Sequence, residues 1–219
     1  MERTARNAST FGIPKAGLPD GFVYIDEWIE DCIVDAKYWG TDNLVGCGID
    51  GYERPLVVTS REAAECCVRA AGLLREQGYR MKFYDAYRPQ RAVDHFRRWA
   101  ADTDDIRRKP IHYPRVDKKD FFELRYIAER SGHSRGGAVD LTIVDAQTHQ
   151  ELDMGSIFDF MDSRSHIIAE GLTDRQEANR SILRTAMILS GFTVFEYEWW
   201  HFNLEKEPYP ETYFDFPVR

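Results

Sequence analysis

Ser131-Gly132-His133-Ser134-Arg135-Gly136-Gly137-Ala138-Val139-Asp140-Leu141-Thr142-Ile143-Val144 is the stretch that decides how this chain folds and where its chemistry sits. From Val139 to Val144 the residues alternate, with Val139, Leu141 and Ile143 on one face and Asp140 and Thr142 on the other, the two-residue period of a strand. Asp140 therefore turns away from the apolar layer. Gly136 and Gly137 let the backbone ahead of the strand fold tightly, so that the His133 and Asp140 side chains can reach one point. That spacing alone is weak, because a single His or Asp in such a turn ordinarily bonds to nearby backbone.

A second segment far along the chain, Glu198-Trp199-Trp200-His201, changes the reading. It adds an imidazole, with a carboxylate three residues before it, at the end of an aromatic strand whose bulk can shield a polar cluster from water. His133, Asp140 and His201 then make three protein ligands for a metal, with a position left for water or substrate. Glu198 stands beside them as a base, and these are the parts of a hydrolytic zinc site. The combination points to a metallopeptidase. Non-haem iron also takes two histidines and one carboxylate, so ligand type does not fix the metal. Iron sites of that kind usually place the carboxylate two residues after the first histidine, where this chain has Arg135, and the longer spacing to Asp140 favours zinc. Glu198 itself has two readings, a general base or a brace for His201.

Outward from these segments the pattern is mixed. Phe22 to Ile25 and the residues around Trp28 and Ile29 begin the ordered part, followed by a loop at 38–43. A helix is expected from about Ser60 to Gln77, with Thr59 and Glu62 at capping-box spacing, Ala63, Cys67, Ala70, Ala71 and Leu74 on one face, and Gly78 as its stop. Tyr79 to Tyr84 reads as a strand, and Pro89 opens a second helix. Residues 101–120 are charged and carry Pro110 and Pro114, the signature of an exposed excursion. Thr173 and Gln176 repeat the capping-box spacing before a helix that runs through Ile188 to Gly191, and Phe192 to Tyr197 reads as the strand that delivers Glu198 and His201. Helices and strands follow one another without a regular βαβ repeat. The expected class is α+β, a single domain with a mainly antiparallel central sheet flanked by helices and the zinc site on the sheet.

Length and charge bound the rest. With 219 residues, 43% of them hydrophobic, the chain can bury one substantial core, and residues 21–219 read as one catalytic domain behind a polar N-terminal tail at 1–20. A formal charge of −8 argues against nucleic acid or an acidic membrane surface as partner. No run approaches the roughly 20 apolar residues that span a bilayer, and the tail has no apolar export signal, so the expected location is the cytoplasm. Cys32, Cys47, Cys66 and Cys67 form no CxxC pair and read as reduced thiols. His166 reads as a supporting residue, since three ligands already fill a catalytic zinc site. His95, His112 and His149 have no pattern around them, and Trp199 and Trp200 read as core and pocket wall. Self-association into a homo-oligomer is left open.

The segments 131–140 (SGHSRGGAVD) and 198–201 (EWWH) resemble the two signature motifs of the zinc D-alanyl-D-alanine dipeptidases of the VanX type, relatives of the zinc D,D-carboxypeptidases and the hedgehog signalling domain. Segments 35–43 (DAKYWGTDN), 84–96 (YDAYRPQRAVDHF), 153–166 (DMGSIFDFMDSRSH) and 207–219 (EPYPETYFDFPVR) resemble that type as well, so the likeness runs from about residue 22 to the end. It implies that His133, Asp140 and His201 hold one zinc, that Glu198 is the catalytic acid and base, and that Arg88 stabilises the oxyanion. It also implies that Tyr38, Ser131 and Asp159 line a pocket for a small zwitterionic dipeptide. There Asp159 is the natural partner of the ammonium, and Ser131 and Tyr38 are donors to the carboxylate. The implied reaction removes D-alanyl-D-alanine, either to deplete a cell-wall precursor in glycopeptide resistance or to recycle D-alanine. Two rival readings are a D,D-carboxypeptidase acting on longer peptidoglycan peptides and a zinc-stabilised binding module without turnover. The presence of both Glu198 and Arg88 argues against the second. The chain departs from the type at Gly132, where a serine can stand, and in its extra polar tail.

Overall fold

The computed structural model describes Thr10 and residues 12–219. Its spine is a pair of long neighbouring strands, β4 (Tyr79–Asp85) and β5 (Ala138–Asp145), joined antiparallel. Val139, Leu141 and Ile143 lie in the core as their alternation requires, but Asp140 and Thr142 are just as deeply buried. The second face is roofed by aromatic rings: Phe158 stacks on Tyr84 at 4.6 Å between centroids and meets Trp200 edge-on at 5.4 Å. Asp140 thus faces a covered polar interior.

Outside this pair the sheet continues through β2 (Ile33–Val34) beside β4 on one side, and through β7 (Glu198–Leu204) and β6 (Phe192–Phe195) beyond β5 on the other. Only the β2–β4 pairing is parallel. A separate antiparallel pair joins β1 (Phe22–Tyr24) to β3 (Val58–Ser60). Helix α1 (Arg61–Arg75) buries Ala63, Ala64, Cys67, Ala70, Ala71 and Leu74, and packs against β4 and against α4 (Asp174–Leu189). The architecture is α+β with a mainly antiparallel sheet, as the order of elements implies.

Several local readings need correction. Ser60, not Thr59, caps α1, its hydroxyl accepting the Ala63 N–H at 3.3 Å, because the helix begins at Arg61, one residue later than the spacing from Thr59 implies. Pro89 caps α2 (Gln90–Ala101) from just outside with extended backbone. The excursion at 101–120 is only partly exposed. It contains α3 (Lys109–His112), and Lys118 is buried with its ammonium donating to the carbonyls of Trp99 and Asp102, so its far end packs on α2. At α4 both halves of the expected capping box form: Thr173 Oγ1 accepts from the Gln176 N–H, and Gln176 Oε1 from the Thr173 N–H. Residues 192–204 are a hairpin rather than one strand, with the turn at Glu196 and Tyr197, so Glu198 and His201 sit on β7. Of the expected tail, residues 1–9 and 11 lie outside the described residues, while Ile13 and Leu18 pack against the core and Lys15 pairs with Asp26 at 2.9 Å.

Candidate active site

Three elements bring the candidate ligands together. His133 stands in a 3-10 turn, Gly132–Arg135, started by Ser131, whose Oγ accepts the His133 N–H at 3.2 Å. Gly136 closes the turn at φ 73°, where a Cβ would lie 2.6 Å from the Phe22 ring, so backbone conformation and space both require glycine. Asp140 on β5 and His201 on β7 are direct cross-strand partners. His133 Nε2 lies 3.1 Å from His201 Nδ1 and 3.2 Å from Asp140 Oδ2, and His201 Nδ1 lies 3.0 Å from Asp140 Oδ1. Ligands about 2.0–2.2 Å from a tetrahedral ion are about 3.3 Å apart, so this triangle nearly has the size of one face of such a site.

The outer nitrogens fix which lone pairs point inward. His133 Nδ1 donates to the Ala86 carbonyl at 2.6 Å, and His201 Nε2 donates to Asn203 Oδ1 at 3.1 Å. That leaves His133 Nε2 and His201 Nδ1 free to coordinate, the arrangement that orients metal-binding imidazoles. Burial pulls the His133 pKa down to about 4, which keeps it neutral as a ligand must be. Burial works against the Asp140 charge, yet His133 and His201 facing it hold its carboxyl below the usual range. His133, Asp140 and His201 form the one group suited to a metal among the described residues.

Glu198 reaches the same point through an irregularity in β7. In a regular strand, residues three apart face opposite ways, but the pairing jumps from Val194–Phe202 to Phe195–Glu198. The extra residues on β7 bulge, and Glu198 Oε2 comes within 3.8 Å of His201 Nδ1. Burial pushes its pKa up to about 7, against the pull of His201. Arg88 stands on the other side. Its Nη2 donates to Asp140 Oδ2 at 3.2 Å, and its guanidinium lies over the Tyr38 ring at 5.0 Å and the Phe96 ring at 5.3 Å.

All eight residues singled out from the sequence line one cavity of about 700 Å³: Tyr38, Arg88, Ser131, His133, Asp140, Asp159, Glu198 and His201. Asp159 is buried on backbone with φ 56°, a left-handed conformation that costs a non-glycine residue energy. Burial raises its pKa well above the carboxylate range; Arg88 opposes the shift, and Asp140 and Glu198 add to it. Tyr38 departs from its expected part: its hydroxyl donates to both Asp159 oxygens, at 3.1 and 3.0 Å, and so serves the carboxylate that faces the pocket. His166 stays off the metal group and meets the Tyr126 hydroxyl at 3.3 Å. Sequence reasoning missed Asp85, Tyr52 and Asn203. Asp85 offered one local signal, its place three residues before Arg88, whereas Tyr52 and Asn203 offered none.

A buried His-Asp-His triangle on an antiparallel sheet, with a carboxylate and a guanidinium in the same cavity, has the parts of a metal-dependent hydrolase. Residues 19–219 match the sequence profile of the peptidase M15 family described as D-ala-D-ala dipeptidase. The chain is similar to the D-alanyl-D-alanine dipeptidase of Enterococcus faecium, at 44% identity over 91% of this chain and 98% of the relative. Its counterparts in Enterococcus faecalis and Streptomyces coelicolor are each 41% identical, covering 92% and 90% of this chain and 100% and 98% of the relatives. This chain belongs to the D-ala-D-ala dipeptidase family of M15 peptidases.

Proposed function

We propose that the protein hydrolyses D-alanyl-D-alanine to two molecules of D-alanine, using one zinc ion held by His133, Asp140 and His201. The observation that carries this reading is the meeting of that ligand triangle with Glu198, Arg88 and Asp159 in one cavity. When bound, zinc polarises a scissile carbonyl and acidifies water at neutral pH. Glu198 takes the proton of the attacking water and delivers it to the leaving amino group, work for which its place in the cavity, 3.8 Å from His201 Nδ1, suits it. Arg88 presents fixed donors and charge where the oxyanion develops; Nη1 has no protein hydrogen-bond partner among the described residues. At the other end of the substrate, Asp159 receives the ammonium, with Tyr38 holding its carboxylate in place. Ser131 still has its hydroxyl hydrogen to offer the substrate carboxylate, since the contact with the His133 N–H uses only its oxygen. On this reading the reaction takes place on free dipeptide in the cytoplasm; no helix among the described residues is long and apolar enough to cross a membrane.

The test is D-alanine release from D-Ala-D-Ala by purified, zinc-loaded protein, with L-Ala-L-Ala and a D-Ala-D-Ala-terminated pentapeptide as competing substrates. The expected result is cleavage of the D,D-dipeptide alone, falling ~10²–10⁴-fold in Glu198→Ala while zinc content stays at one per chain. Preferential cleavage of the pentapeptide would replace this reading with a D,D-carboxypeptidase.

A further inference from the structure

Asp85 is buried at the end of β4, its side chain 2% exposed, and takes no part in the chemistry described so far. It reaches the site through a second irregularity of the sheet. Between Phe83 and Asp85 the pairing with β5 advances by one residue, from Leu141 to Asp140, so Tyr84 is the extra residue of a bulge. The bulge sets Asp85 directly across from Asp140, and both carboxylates converge on Arg88. Asp85 Oδ2 accepts from Arg88 Nε at 2.9 Å, while Asp140 Oδ2 accepts from Nη2 at 3.2 Å. The Tyr52 hydroxyl donates to Asp85 Oδ1 at 2.8 Å and fixes the carboxylate from behind.

A guanidinium offers five donors in one rigid plane, so a bond at Nε sets where Nη1 and Nη2 point. With Asp85 in place, Arg88 is shared between two carboxylates and rests against the Tyr38 and Phe96 rings. Without that negative charge, Asp140 becomes the nearest carboxylate to Arg88. The guanidinium then turns onto a group needed as a metal ligand and away from the developing oxyanion. On the dipeptidase reading given above, we propose that Asp85, braced by Tyr52, is a positioning residue that aims Arg88 at the oxyanion and keeps it shared between the two carboxylates, so that it does not turn wholly onto Asp140.

Zinc-loaded Asp85→Asn, Tyr52→Phe, Arg88→Ala and the Asp85→Asn/Arg88→Ala double variant would be compared with wild type in steady-state D-Ala-D-Ala hydrolysis. Exchange of the Arg88 Nε–H would be followed by ¹⁵N NMR in the absence of substrate. Asp85→Asn should lower kcat roughly 10–100-fold with KM changed less than about threefold, keep one zinc, and speed Nε–H exchange; Tyr52→Phe should move the same quantities less. In the Arg88→Ala background, Asp85→Asn should cost nothing further. An equal loss with and without Arg88, or an unchanged kcat, overturns the proposal. Should Asp85→Asn fail to fold, Tyr52→Phe decides by the same split of kcat from KM. If wild type releases no D-alanine, the dipeptidase reading falls while the proton exchange still decides whether Asp85 orients Arg88.

Discussion

Asp159 shows how one residue can be held against its own preferences. Its backbone is left-handed, its carboxylate is buried, and its charge is opposed by Asp140 and Glu198 nearby. Such a carboxylate gains most from a cation that arrives with the substrate and is desolvated there. Asp159→Asn keeps the size and the Tyr38 contact but removes the charge. It should raise KM for free D-Ala-D-Ala about tenfold or more and leave KM for an N-acetylated analogue nearly unchanged. Parallel increases for both substrates in a steady-state assay would show that Asp159 does not meet the ammonium. At this scale the sequence was legible wherever a residue type belonged to a compact motif: His133 and Asp140 straddle a glycine turn, and Glu198 and His201 flank two tryptophans. Tyr52 and Asn203 were not, because what makes them matter is a partner brought in by the fold, and a lone Tyr or Asn carries no local mark of that; Asp85 had only its spacing to Arg88 to point to it.

Elements were read well where periodicity spoke clearly, as in α1, or capping did, as in α4, and poorly where the sheet breaks its own rule. Phe192 to Leu204 is an aromatic-rich run with no glycine or proline at its turn, so its fold into β6 and β7 left no trace in composition. Neither bulge has a sequence signal, yet the two bulges bring Glu198 to His201 and Asp85 to Arg88. The turn before β5 is the opposite case, because its glycines announce it. Gly136→Ala must strain a φ of 73° and push the Phe22 ring out of contact with Tyr87, Phe214 and Phe216. It should cost about 1–3 kcal/mol in urea unfolding and weaken zinc retention, since the same turn carries His133. Wild-type stability in that variant would mean the turn relaxes freely.

Across the whole molecule the metal group ties β5 and its preceding turn to β7, the neighbouring strand in space and a distant one in sequence. A ligand that binds only the folded state stabilises it by mass action, about 2.7 kcal/mol at a hundredfold excess over Kd. Stripping the ion with a chelator should therefore lower Tm by roughly 5–10 °C, with recovery on adding zinc but not magnesium, which prefers oxygen ligands. A Tm that does not move, with metal loss verified by elemental analysis, would contradict a structural contribution. The strand order also sets a timetable. β7 lies between β5 and β6 in space yet is the last strand in the chain, so during synthesis Arg88, His133 and Asp140 leave the ribosome well before His201. Until β7 emerges the nascent chain displays two corners of the triangle and not the third, so the catalytic centre closes only after the strand carrying Glu198 and His201 has been made.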